Sequence, residues 1–250
     1  MGATAEARAN AFADLLARAC VDVLGHLAVS VLLHGSLTLG DFVPGRSDID
    51  LLLIVARRLE DEELGALTER VSALSALSPS RVDLRVLTRE VAAAPVPLPP
   101  MEAGFALRPG RAPEREARVA GEPDLVVELS VVRAHGRELL GRSPPDVVGA
   151  VPDTWVDAVG EQYLAAWEHL TDDAPHAELM VLTACRVWRF HAERVHCSKS
   201  AAGHWALARD SSLTAVRQAL RQRSGEPGVT IEPGEIRRLL ALVRRYLGAG

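Results

Sequence analysis

Leu33-His34-Gly35-Ser36 closes a run of β-branched and aliphatic residues that begins at Val29, and Ser47-Asp48-Ile49-Asp50 opens a second apolar run, 51–55. Both runs read as strands. Residues two apart in a strand face the same side, so Asp48 and Asp50 aim together while Ile49 turns into the core. Adjacent carboxylates repel, and burying them is costly unless a cation lies between them. Hard divalent ions such as Mg2+ are held by a couple of carboxylates together with substrate phosphate oxygens. The Gly35-Ser36 pair exposes backbone amides that can hold the terminal phosphates of a nucleoside triphosphate. Asp-x-Asp alone would equally open a strand with solvated acids after Pro44-Gly45; the Gly-Ser turn upstream is what favours a site.

Composition narrows the class. The 250 residues, 48% hydrophobic and 24% charged, suit a water-soluble chain of one large or two ordinary domains. No apolar run approaches the roughly 20 residues of a membrane span, and the start, Met1-Gly2-Ala3-Thr4-Ala5-Glu6, fits neither a signal peptide nor a myristoylation site. A cytoplasmic monomer with no membrane or nucleic-acid partner is expected, since a net charge of −5 argues against a face for phosphate backbones. That charge suits a cationic small-molecule substrate. Cys20, Cys185 and Cys197 make neither a metal motif nor an even disulfide set and read as buried apolar residues. Of the 28 basic residues only Lys199 is lysine.

Periodicity predicts a helix over 6–27, strands over 29–33 and 50–55, a helix over 60–76 and a third strand over 81–87, where Val82, Leu84 and Val86 alternate with Asp83 and Arg85. A Pro/Gly/Arg-rich segment, 92–123, reads as a long loop in which 104–107 could be a strand. A helix is expected over 124–140 and a linker over 141–152. Beyond it the pattern is helical only: 153–170, 175–196, 200–210, 213–223 and 233–247, with Asp153 and Ser200 as N-caps. The fold expected is α+β, with domains at 1–150 and 151–250. Asp83 is the carboxylate whose strand and alternation bring it beside the first two, where it would take a proton from a substrate hydroxyl or complete a metal shell. A solvated edge-strand acid is the other reading.

Strand, Gly-Ser turn, loop, and strand with Asp-x-Asp resembles the polymerase-β-like nucleotidyltransferases. With Arg46-Ser47-Asp48-Ile49-Asp50-Leu51-Leu52, Thr183-x-x-Arg186-x-Trp188 and Ser198-Lys199-x-x-Ala202-x-x-Trp205-Ala206-Leu207, the chain is similar to the aminoglycoside adenylyltransferases that act on streptomycin and spectinomycin. The resemblance implies an N-terminal nucleotidyltransferase domain, a C-terminal α-helical bundle, and transfer of AMP from ATP, with Mg2+, to an antibiotic hydroxyl in a cleft between them. It implies Asp48 and Asp50 as metal ligands and Asp83 where the family usually has a glutamate base, one methylene longer. Gly35, Ser36, Ser47, Arg186 and Lys199 are the nucleotide-binding candidates; Trp188 and Glu193 are the substrate candidates, a core tryptophan and a solvated polar stripe being the competing readings. Arg186-x4-His191 also resembles a HEPN ribonuclease motif, against which His191 aligns with apolar positions. Modification of another small metabolite or of a protein, or nucleotide binding without turnover, are the alternative functions.

Overall fold

The computed structural model describes residues 4–248. The chain divides into two compact units, one ending at Val151 and one beginning at Pro152.

The first unit runs α1 (Ala5–Leu24), β1 (Ala28–His34), β2 (Ile49–Val55), α2 (Asp61–Leu74), β3 (Val82–Thr88), α3 (Arg89–Ala93), β4 (Met101–Leu107), β5 (Glu114–Val119), α4 (Asp124–His135), β6 (Arg137–Gly141) and α5 (Pro144–Val147). Its six strands form one sheet in the order β5-β4-β3-β2-β1-β6, with β2 and β3 parallel and every other neighbour antiparallel. The parallel pair needs a crossover, and α2 supplies it. Its capping box, Glu60 with Glu63, satisfies the first free amides of that helix.

Both faces of the sheet are covered, which is why β2 is apolar at every position from Leu51 to Val55. Val31, Leu33, Leu51, Leu53 and Leu84 pack under α1 and α2, while Leu32, Leu52, Ile54 and Leu87 pack under Leu125, Leu129 and Val132 of α4.

Two expectations need correction. The 92–123 segment is not one loop: it holds β4 and β5, the latter a charged, exposed strand at the sheet edge, where ladder bonds rather than apolar patterning define the strand. The helix expected over 124–140 stops at His135, and β6 pairs with β1 instead. Gly136 is the reason. Its amide caps Val132, and a Cβ there would lie 2.4 Å from the Val132 carbonyl oxygen.

The second unit contains α6 (Asp153–Trp167), α7 (Ala177–Glu193), α8 (Lys199–Arg209), α9 (Thr214–Arg223) and α10 (Pro233–Leu247). α7 touches all four others, and it buries residues around much of its circumference, from Ala177 to Trp188. Glycines let the helices close up: a Cβ on Gly160 would meet Val187 at 2.8 Å and one on Gly203 would meet Leu220 at 2.9 Å. Asp153 is the first residue of α6 rather than its cap, and Ser198, not Ser200, caps α8 by accepting the Ala201 amide. Cys20, Cys185 and Cys197 are buried free thiols.

Candidate active site

The ladder registers bring the acids together. His34 of β1 pairs with Asp50 of β2, and Asp50 pairs with Asp83 of β3, so one row across three adjacent strands reads His34, Asp50, Asp83. Neighbouring strands lie about 4.8 Å apart, which sets the two carboxylates side by side. Asp48 sits just before β2, and the charge of Asp83 is felt at its carboxyl. Burial pushes Asp48 above the ordinary carboxylate range, with Arg81 and Arg108 opposing and Asp83 reinforcing the shift.

Gly35 follows the row directly and adopts φ +72°, a conformation that favours glycine. Its second constraint is steric. A Cβ at this position would fall 1.9 Å from Oδ2 of Asp50, so only glycine lets the turn pass against that carboxylate. The chain then winds through a short 3₁₀ turn, Gly35–Leu37, in which the Gly35 carbonyl accepts from the Leu39 amide and the Thr38 hydroxyl, and the Ser36 carbonyl accepts from the Asp41 amide. Two buried polar atoms flank the glycine without a hydrogen-bond partner: Ser36 Oγ and His34 Nε2. Burial, with the Arg85 charge adding to it, pushes His34 down to about 4, so its imidazole is neutral at physiological pH.

Four residues that sequence reading did not single out complete the surroundings. Arg81 Nε lies 2.5 Å from Asp48 Oδ1, and the Arg81 guanidinium also donates to the Arg46 carbonyl at 2.7 Å. Arg108, just past β4, donates to Asp83 Oδ1 at 3.0 Å and to the Val82 and Leu107 carbonyls. Arg85 follows Asp83 by two on the same face, and Gly104, its partner on β4, gives its guanidinium room: a Cβ there would lie 3.0 Å from Arg85 Nη1. Glu128 of α4 stands 3.8 Å from Arg85 Nε. Arginines beside carboxylates are readable from sequence only once strand register is known, whereas Glu128 left a signal in the helix periodicity.

The expected site residues divide. Gly35, Ser36, Asp48, Asp50 and Asp83 converge on one end of the sheet. Ser47 turns inward: it is buried, its hydroxyl accepts the Val43 amide and its carbonyl accepts the Ser80 hydroxyl, so it closes the loop rather than facing a nucleotide. Trp188 is 4% exposed, edge-on to Trp205 at 5.1 Å and stacked on Tyr246 at 4.9 Å. With its ring covered by neighbours it is a core residue, and the substrate-stacking expectation is corrected. Glu193 accepts from the Trp205 indole at 2.7 Å, from Arg189 at 3.1 Å and from Arg209 at 2.8 Å, which hold its carboxyl below the usual range; its oxygens tie α7 to α8. His191 is not packed among apolar groups as its alignment suggests but bonded to Asp157 at 3.2 Å. Arg186 lies on α7 and Lys199 is the first residue of α8.

Residues 17–107 match the model of a nucleotidyltransferase domain, and residues 146–245 match that of the aminoglycoside adenylyltransferase C-terminal domain. Among solved structures the fold is similar to that of spectinomycin adenyltransferase AAD(9) from Enterococcus faecialis, crystallised with ATP and spectinomycin. The two share 16% identity at a TM-score of 0.69, over 94% of this chain and 97% of that one. No curated protein sequence matches the chain. Among the described residues no helix is long and apolar enough to cross a membrane.

Proposed function

We propose, for a chain that belongs to the aminoglycoside nucleotidyltransferases, that it transfers AMP from ATP to a hydroxyl of an aminoglycoside or aminocyclitol antibiotic of the streptomycin or spectinomycin type, and so confers resistance. The observation that carries this reading is the row Asp50–Asp83 held against the Gly35-Ser36 turn, with a Cβ excluded at 35 by the Asp50 carboxylate itself. A turn forced this close to an acid brings phosphate-binding amides and a metal-binding carboxylate to one point.

The donor set fits Mg2+. Among the described residues no cluster of three or more His, Cys, Asp or Glu side chains forms a cage, and Mg2+ prefers one or two carboxylates with phosphate oxygens, which Asp48 and Asp50 can provide. When bound, the ion neutralises phosphate charge and favours attack at the α-phosphorus. The chain's own groups do the rest. Ser36 Oγ, buried and unpartnered, donates to a terminal phosphate oxygen, and the amides of the Gly35 turn add to it. Arg186 and Lys199 are further candidates for phosphate contact by their charge. Asp83 faces the acceptor hydroxyl.

Purified protein incubated with ATP, Mg2+ and a panel of aminoglycosides and aminocyclitols should yield an antibiotic heavier by one adenylyl group, read by mass spectrometry. No adduct with any of them sinks the substrate class.

A further inference from the structure

α4 carries one residue whose position is costly. Leu125, Glu128, Leu129 and Val132 follow at the spacing of a single helix face, and the three apolar members are fully buried against Leu32 and Leu52 of the sheet. Glu128 therefore stands in the inward stripe, where an ionised carboxylate needs a partner and a reason. Arg85 Nε stands 3.8 Å from it, longer than a hydrogen bond. The other charges that act on it are Asp50 on β2, Asp83 on β3 and Asp124 one turn earlier on α4. Three elements thus turn their charges toward one carboxyl, next to the row that contains Asp50 and Asp83. Asp83, meanwhile, has one oxygen engaged by Arg108 and is a methylene shorter than the acid expected at its place.

Resting on the adenylyl-transfer reading, we propose that Glu128 is a further catalytic residue, the carboxylate that takes the proton of the acceptor hydroxyl while Asp83 holds that hydroxyl from the opposite side. The acceptor O–H bond breaks and its oxygen bonds to the α-phosphorus. The bond from that phosphorus to the bridging oxygen breaks, pyrophosphate leaves with the electron pair, and the proton passes to a Glu128 oxygen.

The test is steady-state turnover of ATP with the acceptor that the wild type modifies. Glu128→Gln should lose about 100-fold or more in kcat, keep its KM for ATP within about threefold, and melt at the wild-type temperature. Asp83→Glu, placed in the Glu128→Gln background, should recover a large part of the lost turnover by restoring the longer acid on the other side. Wild-type kcat in Glu128→Gln overturns the proposal while leaving adenylyl transfer standing, and so does a loss of kcat that follows a loss of thermal stability. If the wild type modifies no acceptor, the adenylyl-transfer reading fails by itself, and Glu128 is judged on slow cleavage of ATP to AMP and pyrophosphate with water as acceptor. Equal rates there in wild type and Glu128→Gln, or no cleavage by either, overturn it.

Discussion

Gly35 is fixed by two independent demands, a left-handed backbone at φ +72° and the Asp50 carboxylate where a Cβ would be. Gly35→Ala should therefore cost on the order of 1–2 kcal/mol in denaturant unfolding for the backbone alone. It should abolish turnover as well, because Asp50 must be displaced to admit the methyl; a variant with wild-type turnover would remove this carboxylate from the site. Asp50→Asn changes almost no volume and should leave the fold while eliminating transfer. Glu128 gives a signed pH dependence. Its carboxyl is raised in the folded state to about 8 from an unfolded value near 4.5, so the folded chain holds the extra proton. That contribution to stability is complete below the unfolded value and is lost as pH rises through about 8. Unfolding titrations of wild type and Glu128→Gln should then diverge across that window, the wild type losing stability relative to the variant, and parallel curves would contradict the shift. The acids of the row were legible from strand alternation because a parallel partner registers residues at fixed steps. Arg81 and Arg108 were not, since an arginine in a turn says nothing of what it reaches.

Elements with two buried faces could be read from the sequence, and those at the sheet edges could not. β1, β2 and β3 announce themselves by apolar runs or alternation, whereas β5 has exposed charges and β6 is held by its ladder to β1. The boundary between α4 and β6 rests on Gly136. Gly136→Ala should destabilise the chain by about 1–3 kcal/mol through the forced shift against the Val132 carbonyl, seen as a lower denaturant midpoint; no change would mean that the helix end relaxes freely. In the helical unit Trp188 and Trp205 were visible within the family motifs, but their closure with Tyr246 into one ring set depends on the packing of three helices and was not. Trp188→Ala should cost roughly 3–5 kcal/mol, as for other buried tryptophans, and lower the modification of streptomycin and spectinomycin alike. A loss confined to one antibiotic would restore a role in recognition.

For the whole chain, the buried clusters respect the division at 151/152: two are drawn from the first unit and one from the second. Residues 152–250 expressed alone should accordingly give a helical spectrum and a cooperative melt, and a non-cooperative melt would show that the second unit needs the first. The α+β class was readable because alternating strands are confined to the first part of the chain and the pattern beyond residue 152 is helical only, even though individual caps were displaced by a residue or two. Across the entire sequence one position differs in kind from the rest: Lys199, half-buried at the head of α8, where arginine otherwise supplies the permanently cationic side chains of the chain. Guanidinium groups ignore mild acylating reagents at neutral pH, so a dye or cross-linker directed at primary amines has a single side-chain target in this chain. Labelling yield on the peptide that carries Lys199, read apart from the α-amino group with and without ATP, then becomes a footprint of one residue, available without any engineered handle.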